Sequence, residues 1–69
     1  MKYAVVYEKT EHNYSAYVPD LPGCVATGRT QQEVEKNIRE AISFHLDGMR
    51  KDKLPIPDPA AWTELVEAR

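Results

Sequence analysis

Tyr17-Val18-Pro19-Asp20-Leu21-Pro22-Gly23-Cys24-Val25-Ala26-Thr27-Gly28 is the stretch whose reading decides the fold. Two prolines and two glycines fall within it, with apolar positions on both sides. Pro19 has no amide donor and ends whatever ladder precedes it. Pro22 beside Gly23 is a strong breaker and makes Asp20 to Gly23 a turn. Leu21, between the prolines, reads as an apolar plug that folds back onto the sheet. Asp20 suits a side-chain cap of the turn, or recognition of a partner. Cys24 to Thr27 reads as a short strand, and Gly28 lets the chain reverse. A sheet ends here and a helix is launched.

Upstream, Lys2 to Glu8 alternates Tyr3, Val5 and Tyr7 with Ala4 and Val6. Apolar residues at both parities predict a central strand covered on each side. Lys9 to Asn13 is short and polar and suits a hairpin loop, with Asn13 the residue best able to take positive φ. Tyr14 to Val18 then reads as a second strand, antiparallel to the first.

Downstream, Thr30-Gln31-Gln32-Glu33 is a capping-box pattern. Val34, Ile38, Ala41, Ile42, His45, Leu46 and Met49 follow at spacings of three and four, one stripe of an amphipathic helix from about Thr30 to Arg50. Arg50, Lys51 and Lys53 suit its C-terminal end. Leu54-Pro55-Ile56-Pro57-Asp58-Pro59 can be neither helix nor central strand and predicts an extended strap. Ala60 to Arg69 is open to two readings. Asp58-Pro59 could cap a helix bearing Trp62, Leu65 and Val66, or Trp62 to Ala68 could be a fourth strand.

With 69 residues the chain is read as a single domain, 1–69. A domain of that size buries only roughly 60% of its unfolded surface and usually needs a further source of stability. One cysteine excludes an internal disulfide, and one cysteine with two distant histidines, His12 and His45, is a poor metal site. No cofactor motif is present. A homo-oligomer, dimer or tetramer, or a partner protein is therefore expected. Nine basic against eleven acidic side chains disfavour nucleic acid as a direct partner. No apolar run reaches the roughly 20 residues of a membrane span, and no signal peptide opens the chain. A soluble cytoplasmic protein is the expectation.

Tyr17 to Cys24, then Gly28, Thr30 and Glu33, then Ala41, and finally Pro55, Pro57 and Pro59, together resemble the HicB-like antitoxin family. The resemblance implies an α+β fold of order β-β-β-α-β: three antiparallel strands, one long amphipathic helix and a fourth strand parallel to the first, a reduced ribonuclease-H-like fold. It turns the reading of the tail towards strand and places the first strand inside the sheet. It implies an antitoxin of a type II toxin-antitoxin system, which binds a small HicA-type mRNA-cleaving ribonuclease and blocks it sterically. Many such proteins carry a C-terminal DNA-binding segment; residues 1–69 contain none, so direct DNA binding is not expected. A stand-alone oligomeric binding module of the same fold is the alternative, and a degenerate nuclease a third.

Catalysis is not expected. Two-metal phosphodiester chemistry needs carboxylates converging on metals about 4 Å apart, and nothing makes Glu8, Glu33, Glu35, Glu40, Glu64 and Glu67 converge. His45 lies on the apolar stripe without an evident partner, and Cys24 reads as a small buried hydrophobe. The candidates for protein contact are Tyr14, Tyr17, Asp20, Leu21 and Trp62, aromatic residues being enriched at interfaces.

Overall fold

The computed structural model describes all 69 residues. Three strands, β1 (Val6–Lys9), β2 (Tyr14–Tyr17) and β3 (Val25–Gly28), are followed by one helix, α1 (Gln31–Lys51). The sheet is antiparallel, in the order β1-β2-β3. This is the α+β arrangement of three antiparallel strands and one long helix implied by the sequence.

The corner between β2 and β3 is two linked turns. Leu21 N–H donates to the Val18 carbonyl at 3.1 Å, and Cys24 N–H to the Leu21 carbonyl at 3.0 Å. Each turn has proline at its second position, where the fixed φ is already correct. Gly23 takes φ +84°, which the third position of a type II turn demands and other residues resist. Val18 N–H closes the corner onto the Cys24 carbonyl at 3.1 Å. Leu21 is thereby driven inward until it is 0% exposed.

It meets Ala16, Val18, Cys24, Val34 and Ile38, which complete the buried core. Tyr3, Val5, Tyr14, Ala26, Ala41, Ile42 and Leu46 pack around this centre half-buried. The helix reaches the sheet at once, because a Cβ on Gly28 would stand 2.6 Å from the Val34 amide nitrogen. Thr30 is its N-cap and accepts from Glu33 N–H at 3.0 Å, worth about 1 kcal/mol. Glu33 reaches back to Arg29 N–H at 3.4 Å, one residue before the usual partner in a capping box. At the other end Lys53 N–H donates to the Arg50 carbonyl and Leu54 N–H to the Met49 carbonyl. This is a Schellman motif with lysine, at φ 56°, in the place glycine favours.

Three expectations are corrected. The first strand begins at Val6 rather than Lys2, and lies at the sheet edge rather than inside it. Val6 pairs with Tyr17, so extending β1 backwards would require Val18 and Pro19 as partners. Both backbone groups of Val18 are already engaged in the corner, and Pro19 has no donor. The hairpin loop uses no positive φ at Asn13. The Thr10 hydroxyl organises it instead, accepting from His12 and Asn13 amides and donating to Asn13 Oδ1 at 2.6 Å. Finally, residues 54–69 form neither a fourth strand nor a helix. The strap is held at two points: Tyr3 O–H donates to the Pro57 carbonyl at 2.6 Å, and Asp20 Oδ2 accepts from Ala60 and Ala61 amides at 3.1 Å each.

Candidate protein interface

Directly opposed residues of antiparallel strands share a face. Val6–Tyr17–Val25 form one row and Glu8–Ser15–Thr27 the next but one; Tyr7–Ala16–Ala26 and Lys9–Tyr14–Gly28 alternate with them. Buried Ala16 and Gly28 mark the face under α1. Val6, Tyr17 and Val25 therefore lie on the opposite face, which no element covers. Tyr17 is 41% and Val25 64% exposed. This apolar row, bordered by Glu8, Ser15 and Thr27, is the only side of the sheet open to a flat partner.

The five sequence candidates do not converge. Tyr17 stands on the open face. Tyr14, three residues away, turns to the helix side and lies half-buried. There it lines a recess of about 380 Å³ with Tyr7, Lys9, Val34 and Glu35, and the Lys9 ammonium sits 5.9 Å from its ring centroid. Leu21 belongs to the core and presents nothing to a partner. Asp20 neither caps its own turn nor stands free; its carboxylate holds the strap. Trp62 is 83% exposed beyond the strap, with Leu65 and Val66.

Sequence reasoning missed Val25 and Phe44. Val25 is the cross-strand neighbour of Tyr17 and could be found once the register was drawn. Phe44 falls outside the apolar stripe of α1 and is 82% exposed; a helical projection shows it on the outer face. No group of three or more His, Cys, Asp or Glu side chains is placed to hold a metal ion. Cys24 is buried, and desolvation pushes its thiol above the ordinary value of 9.0, away from the reactive thiolate. No helix is long and apolar enough to cross a membrane.

Comparison with known proteins supplies what geometry alone does not. Residues 3–69 match the family model described as the HicB-like antitoxin of bacterial toxin-antitoxin systems. A UPF0150 protein of Thermoplasma acidophilum is 41% identical over 58 residues, 83% of this chain and 84% of its own length. A UPF0150 protein of Helicobacter pylori is 45% identical over 49 residues, 71% of this chain and 68% of its own. An uncharacterised protein of the rep-hol intergenic region of Haemophilus phage HP1 is 44% identical over 57 residues, 83% of this chain; the match spans only 43% of the phage protein. Among solved structures, a chain of the HicA3 and HicB3 toxin-antitoxin complex superposes with a TM-score of 0.73 at 30% identity, over 86% of this chain and 69% of that one.

Proposed function

The chain belongs to the HicB-like antitoxin family, and from that premise we propose that it binds a small HicA-type ribonuclease and blocks mRNA cleavage by covering the catalytic face. Proteins of this family are regulators and not enzymes. The observation that carries the proposal is the uncovered sheet face, where Val6, Tyr17 and Val25 form an apolar row that contributes nothing to the core. An exposed row of this kind, with an aromatic at its centre, suits a protein partner. The net charge of −2 fits a partner that must itself hold RNA. In this reading residues 1–69 act as one unit, in the cytoplasm, as a homo-oligomer. This reading assigns no DNA contact to residues 1–69, which contain one helix.

The test is co-expression with the product of the adjacent reading frame, scored by co-purification and by rescue of growth. Tyr17→Lys and Val25→Asp should abolish both while leaving stability within about 0.5 kcal/mol, since neither side chain is buried. No complex and no rescue by the parent chain would overturn the antitoxin reading and favour the stand-alone module.

A further inference from the structure

We propose that Glu8 and Tyr17 form one site on the open sheet face, which receives an arginine side chain of the partner. The inference rests on the ribonuclease-binding reading above and specifies how that partner is recognised.

The paired side chains of the open face are Val6, Tyr17 and Val25 in one row and Glu8, Ser15 and Thr27 in the next. Glu8 carries the one charge among them. Its side chain is exposed and joins no ion pair; the ion pair of this chain lies elsewhere, between Arg50 and Asp47. Lys9, its neighbour in sequence, does not neutralise it. Successive strand residues point to opposite faces, and the Lys9 ammonium sits on the helix side, 5.9 Å from the Tyr14 ring centroid.

A free surface carboxylate is ordinarily a solvated one. This one stands where solvation ends once the face is covered. Glu8 follows Val6 by two residues, on the strand that pairs Val6 with Tyr17. A flat partner that covers the apolar row therefore draws Glu8 out of water. A carboxylate desolvated without a counter-ion is strongly destabilising, so a partner that binds here must bring a cation to this point. A neutral or acidic surface is rejected by the same residue, which gives specificity by exclusion as well as by attraction.

The cation is an arginine because of what stands beside the carboxylate. Tyr17 is the diagonal cross-strand neighbour of Glu8, at a spacing of about 7–8 Å, within reach of a long side chain. Tyr17 is 41% exposed, which leaves its ring open to contact. A guanidinium stacks flat on such a ring while its fork points at a carboxylate; an ammonium has neither the plane nor the fork. A ribonuclease needs side chains that hold phosphate, and a carboxylate accepts the same fork that a phosphate does. Glu8 thereby occupies a side chain that the enzyme needs for RNA.

The test is the affinity of the purified chain for the product of the adjacent reading frame, measured by titration calorimetry at low and at high salt. Glu8→Gln should weaken the complex about tenfold at low salt and flatten its salt dependence. Glu40→Gln, which removes the same charge from an exposed position on α1, should change neither. Tyr17→Leu should cost roughly fivefold. The Glu8→Gln/Tyr17→Leu double variant should lose less than the two losses multiplied, because both side chains hold one group. No complex with the parent chain would overturn the ribonuclease-binding reading and this site with it. A complex indifferent to Glu8→Gln would overturn the site alone. So would an equal loss in Glu40→Gln, which would reduce Glu8 to long-range charge, and so would losses that multiply, which would make the two contacts separate. Dissociation of a homo-oligomer by Glu8→Gln would assign the arginine to a second copy of this chain and overturn the partner.

Discussion

Removing the Asp20 carboxylate should loosen the molecule forty residues away while sparing the turn that contains it. In Asp20→Ala two backbone amides lose a charged acceptor, each at 3.1 Å. Bonds to a charged group contribute about 1.5–3 kcal/mol net each when buried. Ala60 is exposed and its amide passes to water at little cost, whereas Ala61 is half-buried and bears most of the loss. The expected destabilisation is about 1.5 kcal/mol, or roughly 6–12 °C in Tm for a domain of this size. The loss has a ceiling, because the strap can undock as a unit and leave the sheet and helix folded. Asp20→Asn, which keeps one acceptor oxygen without the charge, should lose about half as much. Urea unfolding measures the total, and amide exchange at Ala60 and Ala61 locates it. If both amides exchange at the parent rate in Asp20→Ala, the carboxylate does not hold the strap and the reasoning fails.

Two more predictions follow from local geometry. Lys53→Gly should raise stability by about 0.5–1 kcal/mol, since a left-handed residue at a Schellman position favours glycine even after glycine's own entropy cost; a neutral or lower urea midpoint would refute that account of the helix end. Cys24 should react with a thiol reagent only after unfolding. Burial raises its folded pKa, so the native state keeps a proton that the unfolded state loses above the ordinary value of 9.0. Its stabilising contribution is therefore complete below that value and declines as pH rises through it and on to the folded value. Between about pH 8 and 10 Cys24→Ala should show a shallower fall in stability than the parent. Equal slopes would mean the thiol is not desolvated.

The helix was legible almost to the residue. Thr30 and Glu33 announce its start, the apolar stripe carries it, and the basic residues mark its end; the observed span is Gln31–Lys51. The corner was legible too, since each proline and glycine imposes a backbone angle locally. What could not be read was where backbone hydrogen bonds go over distance. The start of β1 depends on Val18, whose donor and acceptor are both engaged within the corner. The fate of Asp20 depends on amides at positions 60 and 61. Leu21 was read both as a plug and as a contact residue, and the two are exclusive; only burial separates them. The tail misled for a related reason. Its local pattern leans towards helix and the family resemblance towards strand, but a strand exists only where another offers its edge, and no strand pairs with these residues.

The corner is held by proline rings, one left-handed glycine and one leucine, and that leucine is buried away from the open sheet surface. Val6, Tyr17 and Val25 do face it and leave the core untouched. Under the proposed function, folding and recognition draw on separate residues. Substitutions on that face would then cost little stability, and such a scaffold could follow a changing partner, or acquire a new one, without first becoming unstable.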